Sequence, residues 1–326
     1  MKKSAISVVL ALTSIVVSAG QSPTNEGDFR LALPAHQGQL QWRADGFKII
    51  QSSAKPNGQE IGIRGKDQTG RFTFLGFLFL VSGETSLTST KCRDGALEPL
   101  KKSNPTFRLL ASSEIPSSNE LPVELVTYSA QGRDGKPVYS MRGFVATADI
   151  CGDLEFYGET AINPENTELK SIFQSYRFNP TYVPQFNDVF LYGQILYRNG
   201  MYKAAAPILE QSLTKLSDSK SQEMMRRVAT DQAGMAYGIA GETAKARRIF
   251  ESAIAKDPDY PMYYYNLACA DAQAKKLADA RVHLQQAFAR KGNMLQGEVF
   301  PDPSKDDSFL PYRNDKDFWE FVESLH

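Results

Sequence analysis

Side chains that could carry out acid–base, nucleophilic or metal chemistry are few in this sequence, and their spacing is unfavourable. Its three histidines are His36, His283 and His326, and no two of them have the spacing of a metal site or a catalytic triad. The sequence has no HExxH, GxSxG or P-loop motif. Ser52 and Ser217 each begin a Ser-x-x-Lys match, but they fall in a predicted turn region and a predicted loop, whereas a serine acylase carries this motif on a helix. We therefore predict a protein without enzymatic activity, metal or cofactor; an enzyme with an unrecognised site among Asp, Glu and Tyr residues is the alternative.

The three cysteines indicate a disulfide rather than a metal centre. No CxxC motif and no Cys/His spacing typical of zinc is present. Cys92 and Cys151 fall in the N-terminal half, and Cys269 falls in the helical half. We predict a disulfide between Cys92 and Cys151, with Cys269 buried and unpaired. The alternative is three unpaired cysteines that act as small buried hydrophobes.

The N-terminus has the features of a secretory signal peptide. Lys2 and Lys3 precede an apolar to weakly polar run over residues 5–19, and small residues suitable for cleavage follow. The run is shorter than the roughly 20 apolar residues that span a bilayer. We predict a signal peptide over residues 1–20 and a periplasmic or secreted protein, in which a disulfide can persist. An uncleaved N-terminal anchor is the alternative.

Length and charge limit the remaining classes of protein. At 326 residues the chain has room for two domains. It has 37 basic and 37 acidic residues, so its formal net charge is zero. It therefore lacks the net basic surface with which proteins neutralise nucleic-acid phosphates. We predict no nucleic-acid partner and no transmembrane segment after removal of the signal.

We assign residues 21–178 to an α+β domain. The apolar pattern has a period near two, and the turn sequences PNG at 56–58 and DG at 134–135 mark hairpins. The run RFTFLGFLFLV is apolar at both parities, which predicts a central strand covered on both faces. Helices are expected over TSLTSTKCRDGALEPLKKSN and NPENTELKSIFQSYRF. The result is a curved antiparallel sheet with two helices, and this order of elements resembles the PsbP/Mog1-like α+β fold, whose members bind partners or small ligands.

After a linker over residues 179–187, residues 188–326 have the pattern of repeated helical hairpins. Pro258 interrupts the stretch GETAKARRIFESAIAKDPDYPMYYYNLACADAQAKKLADARVHLQQAF, because proline inside a helix costs about 3 kcal/mol. Small and large apolar residues recur 34 residues apart on its two sides, and an earlier copy is offset by 41 residues. The three copies contain Gly193, Tyr202, Ala205, Leu209 and Ser212; Gly234, Tyr237, Ala246, Phe250, Ala253 and Pro258; and Tyr264, Leu267, Ala268, Ala280, Leu284 and Ala287.

These residues resemble the tetratricopeptide repeat, whose period is 34 residues. The resemblance implies an all-α solenoid of three repeats, in which small residues let two helices approach closely and Phe250 and Leu284 fill the gap to the neighbour. The third copy departs from the family at Asp271 and Lys275, where an aromatic residue and a glycine are usual. A helical hairpin array of another family is the alternative.

The last repeat of a solenoid requires a cap over its apolar face. The sequence NDKDFWEFVESLH predicts a C-terminal capping helix that begins at Asn314 or Asp315, and the preceding GEVFPDPSKDDSFLPYRN predicts a loop that crosses back over the stack. The apolar stripe of the cap consists of Phe318, Phe321, Val322 and Leu325.

The tetratricopeptide resemblance implies a concave face, formed by the first helix of each repeat, that binds a peptide. The face is rich in aromatic and thioether side chains, which favours an apolar helix or an extended peptide as its guest. We predict an exported scaffold that binds a protein in the cell envelope; a binder of small ligands or envelope polymers, with its site in the α+β domain, is the alternative. The face could instead be filled by the linker or by the N-terminal domain. The predicted binding residues are Asn187, Phe190, Gln194, Tyr197, Asp231, Met235, Met262 and Tyr265.

Overall fold

The computed structural model describes residues 27–118, 121–132 and 134–325. The predicted signal peptide, residues 1–20, therefore lies outside the described residues. The chain forms two compact units that divide between Leu196 and Tyr197. Within the described ranges, no helix is both long and apolar enough to cross a bilayer.

The N-terminal unit contains the predicted antiparallel sheet and two helices, together with the start of a third helix. The strands described in it are β1 (Asp28–Ala32), β2 (Gln39–Arg43), β3 (Phe47–Ala54), β4 (Glu60–Asp67), β5 (Thr73–Leu80), β6 (Arg108–Pro116), β7 (Pro122–Gln131), β8 (Pro137–Thr147), β9 (Ile150–Gly158) and β10 (Arg177–Asn179). The helices are α1 (Ser89–Ser103), α2 (Thr167–Gln174) and α3 (Phe186–Arg198), the last of which extends to the boundary between the units.

The strands form two antiparallel sheets. The larger sheet has seven strands in the order β3-β4-β5-β9-β8-β7-β6, and the smaller sheet has three in the order β1-β2-β10. The run RFTFLGFLFLV forms β5, which lies between β4 and β9 as a central strand, and Phe74 in it is fully buried. The predicted hairpin turns are present, with positive φ angles of 77° at Gly58 and 81° at Gly135, which glycine adopts without strain.

Both outer strands of the seven-stranded sheet have an irregular register. β3 shifts against β4 between Ile49 and Gln51, and β6 shifts against β7 between Leu109 and Ala111. Each irregularity coincides with two adjacent exposed aliphatic side chains. A bulge interrupts the regular row of hydrogen-bonding groups along a strand, so neither edge of the sheet is a continuous template for pairing.

An aromatic core lies between the seven-stranded sheet and the layer made by the smaller sheet and α2. The rings of Trp42 and Phe74 meet edge to face with centroids 6.1 Å apart, and those of Phe156 and Phe173 meet at 5.6 Å. Glycine in β5 makes room for the indole, because a Cβ on Gly76 would lie 2.7 Å from the Trp42 ring. The two layers therefore approach closely where the large sheet lacks side chains.

Helix α1 packs on the opposite face of the seven-stranded sheet and is fixed there by a disulfide. It begins after Thr88, whose side-chain oxygen accepts a hydrogen bond from the Lys91 backbone N–H at 3.2 Å. The predicted Cys92–Cys151 bridge is present, with a Cα–Cα distance of 5.8 Å, and joins α1 to β9. Cys269 is not bridged.

The first part of α3 is bonded to the hairpin of β3 and β4. The Tyr192 hydroxyl lies 2.7 Å from the carbonyl oxygen of Lys55 and 2.8 Å from that of Glu60, and it donates to them. Burial raises the pKa of Tyr192 to about 12, so the donor keeps its proton at neutral pH. This helix, predicted as the start of the first repeat, thus has its early residues in the sheet-containing unit, and the predicted linker, residues 179–187, ends in its first turn.

The C-terminal unit is built from helical hairpins with the spacing that the sequence predicted. Gly241 and Lys275 stand 34 residues apart at the turn inside each hairpin and both have positive φ angles, of 81° and 61°. The first residues of the third and second hairpin partners, Ala246 and Ala280, are buried, and Pro258 lies in the turn between hairpins. The helices of this unit are α4 (Tyr202–Leu213), α5 (Glu223–Ile239), α6 (Thr243–Lys256), α7 (Pro261–Gln273), α8 (Leu277–Ala289) and α9 (Lys316–Glu323).

These hairpins, α5–α6 and α7–α8, are of the tetratricopeptide type, whereas the number of repeats stays a prediction. The departures in the third copy have structural consequences. Lys275 adopts the left-handed backbone that Gly241 adopts without penalty, at a cost of about 1–2 kcal/mol for a residue with a Cβ. Asp271 is completely buried and accepts hydrogen bonds from Arg247 and from His283 Nδ1, the latter at 2.7 Å. The ion pair replaces the aromatic contact that the repeat pattern places there.

Close packing between α5 and α6 depends on Gly234. A Cβ at this position would lie 2.2 Å from the Phe250 ring, whereas a Cβ on Gly238, one turn later in α5, would have no neighbour within 4 Å. We expect Gly234→Ala to lower the free energy of unfolding by about 1–3 kcal/mol, the usual cost of overpacking. Gly238→Ala should leave it unchanged or raise it by up to about 1 kcal/mol, because alanine favours helix. Urea denaturation followed by circular dichroism compares them, and equal effects would contradict this account.

The disulfide should contribute measurably to the stability of the N-terminal unit. It closes a loop with a sequence separation of 59, so the double variant Cys92→Ala, Cys151→Ala is expected to lose about 2–4 kcal/mol of unfolding free energy. Cys269→Ala serves as the control, since this thiol lies in the other unit. Chemical denaturation with a tryptophan fluorescence readout measures the difference. A double variant as stable as the parent would show that the bridge does not constrain the fold.

Candidate partner-binding face

The eight predicted binding residues differ in their exposure. Of those in α3, Asn187 is exposed, whereas Phe190, Gln194 and Tyr197 are buried. Phe190 is stacked on Phe186 with ring centroids 5.1 Å apart. Of those in the second and third copies, three are half-buried and Tyr265 is buried. The half-buried residues are Asp231, Met235 and Met262.

A polar and aromatic surface on α5 and α7, here named the α5/α7 face, brings together two of these residues with others that the sequence analysis did not select. Its residues are Asp231, Tyr260, Tyr265, Asn266 and Cys269. The Asn266 side-chain amide of α7 donates a hydrogen bond to the Asp231 carboxylate of α5, which fixes the two helices against each other at this point.

The chain itself covers the α5/α7 face with residues 293–312, named the C-terminal segment. The Tyr260 hydroxyl donates to the Glu298 carboxylate, 2.9 and 3.0 Å from its two oxygens. The Tyr265 hydroxyl donates to Asp306 Oδ2 at 3.1 Å. Further contacts link Asn293 to the Asp259 carbonyl, Gln273 to Ser308, and the Tyr312 hydroxyl to the Ala272 carbonyl. The C-terminal segment therefore follows α7 from one end to the other in the same direction.

Aromatic side chains of the C-terminal segment pack on the same face. The Tyr265 ring lies edge to face against Phe300 and Phe309, with centroids 5.7 and 6.2 Å away. Phe300 also contacts Phe288 of α8 at 4.9 Å. Phe309 is completely buried. Each hydroxyl–carboxylate bond thus has an aromatic contact beside it.

Helix α9 follows the C-terminal segment and forms the predicted cap. Asp315 accepts a hydrogen bond from the Phe318 backbone N–H at 2.9 Å and begins the helix, as one of the two predicted N-cap residues. Phe318 and Val322 are buried in one cluster with residues of α7 and α8. The predicted crossing loop is also present. The sequence analysis considered the linker or the N-terminal domain as the element that could fill the face; in the structure the C-terminal segment does so.

The electrostatics of the face keep its hydroxyl and thiol groups protonated. Burial, followed by the nearby carboxylates of Asp231 and Glu298, raises the pKa of Tyr260. Burial also raises the pKa values of Tyr265 and of Cys269, whose Sγ lies 3.6 Å from Asp306 Oδ2. A nucleophile requires the opposite shift. These groups can therefore donate hydrogen bonds, but none of them is prepared for nucleophilic catalysis.

Asp231 is the one carboxyl group of this face with a strongly perturbed titration. Burial raises its pKa to about 7, the charge of Glu298 adds to the shift, and the hydrogen bond from Asn266 opposes it. Two carboxylates beneath one segment repel each other once both are ionised. The C-terminal segment is therefore held over a carboxyl group that tolerates it best when protonated.

The contact between the C-terminal segment and α7 is less tight near the end of the helix. An open cavity of 410 Å³ lies there, between the last turn of α7 and the end of the segment. It is lined by Ala272, Gln273, Lys275, Asp307, Ser308, Pro311 and Tyr312. Across the residues that the structure describes, no three His, Cys, Asp or Glu side chains are grouped so that they could hold a metal ion.

The comparisons with known proteins find similarity only at the level of structure. No protein-family model matches the chain, and no curated protein sequence matches it. Solved structures with a match include the "MamA RS-1 ArsTM double mutant" at 19% identity and a TM-score of 0.28, over 33% of this chain and 57% of that one. Another is the type III secretion translocator chaperone SycD of Yersinia enterocolitica, at 14% identity and a TM-score of 0.30, over 45% of this chain and 96% of that one.

A third similar structure is the type VI immunity protein TplEi of Pseudomonas aeruginosa, complexed with "L" peptide. It has 12% identity and a TM-score of 0.28, over 50% of this chain and 58% of that one. The chain thus spans little more than half the length of the MamA and TplEi structures. At TM-scores of this size, these likenesses do not establish what the chain binds.

Asp231 provides a test of the electrostatics of the face. Its raised folded pKa means that the folded chain holds this proton more tightly than the unfolded chain, in which the pKa of aspartate is about 3.9. The stability that the protonated group provides is present below about pH 4 and is lost as the pH rises through about 7.

We expect Asp231→Asn to stabilise the C-terminal unit by roughly 1–3 kcal/mol above about pH 7, since one pKa unit corresponds to about 1.4 kcal/mol. Near pH 4 the variant and the parent should unfold alike, because both side chains are then neutral. Thermal denaturation across this pH range measures the difference. A variant with the same relative stability at both ends of the range would show that Asp231 does not ionise against the segment.

Proposed function

We propose that this protein is an exported, non-enzymatic adaptor that binds an extended segment of a partner protein along the α5/α7 face. The observation that supports the proposal is that this face already holds an extended stretch of polypeptide through specific side-chain contacts. Tyr260 and Tyr265 bond to two carboxylates, and the Tyr265 ring contacts two phenylalanines. A surface that recognises one extended segment in this way has the chemistry to recognise another.

Export and the absence of catalysis are supported by separate observations. The N-terminal sequence has the charge and apolar pattern of a secretory signal. The Cys92–Cys151 disulfide suits an oxidising compartment. The raised pKa values of Tyr260, Tyr265 and Cys269 suit hydrogen-bond donors rather than nucleophiles. A protein of the cell envelope is therefore the proposed partner.

A second candidate function is the binding of a small ligand by the seven-stranded sheet. Strand register places Arg64, Leu75, Glu155 and Arg142 in one row across β4, β5, β9 and β8. Arg142 donates two hydrogen bonds to Asp153, and Tyr128 donates to Glu155 at 2.6 Å. Among the described residues, the Arg64 Nε is a buried donor without a hydrogen-bond partner, which favours an anionic or carbonyl-containing ligand at this row. The row itself is otherwise charge-paired, so the adaptor function is the proposal we develop.

Site-specific photo-crosslinking tests the adaptor function. Met262 is half-buried and packs against the same apolar cluster as Tyr265, so a photoreactive residue at this position samples the α5/α7 face. Val282 of α8 is 53% exposed and provides a control position on another surface. In the source cells we expect Met262 to crosslink one protein through a single extended segment, and Val282 not to crosslink it. The same set of proteins from both positions, or no product specific to Met262, would contradict a binding role for this face.

A further inference from the structure

We infer that the C-terminal segment is an intrachain ligand of the α5/α7 face, and that the partner segment which replaces it has the same chemistry. That chemistry is two carboxylates eight residues apart, each followed by an aromatic side chain, as at Glu298, Phe300, Asp306 and Phe309. The inference rests on the proposed function, because it names the class of partner for the same face.

The selection of carboxylates comes from neutral donors. Helix α7 contains no Lys or Arg, and the groups that meet the two carboxylates are the hydroxyls of Tyr260 and Tyr265. Hydrogen bonds to a charged acceptor contribute more than bonds between neutral groups, roughly 1.5–3 kcal/mol each. Phenol hydroxyls of raised pKa donate and do not release the proton, so they favour a carboxylate over an amide or a hydroxyl at both positions.

The two recognised acids differ from the other acids of the segment. The C-terminal segment has four acidic residues and one lysine. Asp302 is exposed and bonds within the segment, to Ser304 and Lys305. Only Glu298 and Asp306 accept a hydrogen bond from a tyrosine of the face. Position, and not net charge alone, therefore determines which carboxylates the face binds.

The C-terminal segment is attached in a way that allows its removal without unfolding the hairpins. It contains no strand and no α-helix, and only short 3-10 turns at Pro303–Lys305 and Leu310–Tyr312. Backbone hydrogen bonds at Glu298, Lys305 and Phe309 run to residues three positions earlier, so they are retained when the segment leaves α7. Its neighbours on both sides, α8 and α9, are packed in one cluster with α7, so the segment can lift as a loop that remains tied at both ends.

Two observations show where the contact is weakest. Val299, between the first carboxylate and its aromatic residue, is 66% exposed. At the other end of the segment, the 410 Å³ cavity separates it from the last turn of α7. A competing segment would therefore have access to the face at both ends before Phe309, which is completely buried, is displaced.

A fluorescent synthetic peptide with the sequence of residues 293–312 tests the inference with the full chain. The variant Glu298→Gln, Asp306→Asn weakens the intrachain contacts, and it should bind the peptide at least tenfold more tightly than the unmodified chain does. A peptide with the same two amide replacements should bind this variant at least tenfold less tightly than the native peptide. The measurement is fluorescence anisotropy, with thermal denaturation to verify that the variant is folded.

A matched control separates position from net charge. A peptide with Asp302→Asn and Asp307→Asn loses the same charge but keeps the two recognised carboxylates, so it should bind like the native peptide. Equal weakening by both double replacements would overturn the inference, and so would tighter binding of a peptide with lysine at positions 298 and 306.

Hydrogen–deuterium exchange on the unmodified chain gives a result that does not depend on any variant. Saturating peptide should increase exchange in residues 293–312 and leave α8 unchanged; unchanged exchange in the segment would overturn the inference. Failure here is distinguishable from failure of the adaptor function. A partner that crosslinks at Met262 without displacing the segment refutes only the inference, whereas peptide displacement without any crosslinked partner refutes only the adaptor.

Discussion

Helix α7 has apolar or aromatic side chains around almost its whole circumference, and the C-terminal unit is arranged so that each side of this helix is covered. Nine of its thirteen residues are buried. A helix that is apolar all round is stable only when other elements surround it. Helices α5, α6 and α8 cover part of it, and because no further hairpin follows in the chain, the C-terminal segment and α9 cover the rest.

The two covering elements differ in chemistry. Helix α9 buries Phe318 and Val322 and makes the apolar contacts expected of a cap. The C-terminal segment combines aromatic contacts with hydroxyl–carboxylate bonds, and it lies over Asp231, whose own ionisation disfavours the neighbouring Glu298. A cap does not need such polar matching, whereas a ligand does. The same requirement to bury α7 thus accounts for a permanent contact on one side and a replaceable one on the other.

The helical half was more predictable than the site because its signals are local in sequence. Pro258, the small residues Gly234 and Ala246, and the apolar stripe of α9 all lie within one or two helical turns of the residues they pack on or cap. The bonds of Tyr260 and Tyr265 join residues 38 and 41 positions apart, and no period marks them. The run of tyrosines in DYPMYYYN and the acids of the crossing loop were the available signals, and each alone suggests only a buried helix and a solvated loop.

The sheet was predicted in its centre and missed at its margins for a related reason. Strand β5 is buried and apolar on both parities, so its sequence identifies it. Strand β6 is exposed along most of its length, and the smaller sheet is built from short strands, so neither shows the alternation that reveals a half-buried strand. The PsbP/Mog1-like likeness stays a resemblance of element order.

The irregular register of β3 and β6 has a consequence for the behaviour of the protein at high concentration. A seven-stranded sheet with straight borders would invite other copies to add strand by strand into a fibril. Here the aliphatic doublets that would drive such growth stand where the borders are kinked. A secreted protein that must fold beyond the reach of cytosolic chaperones is thereby safeguarded against polymerising through its most exposed apolar side chains.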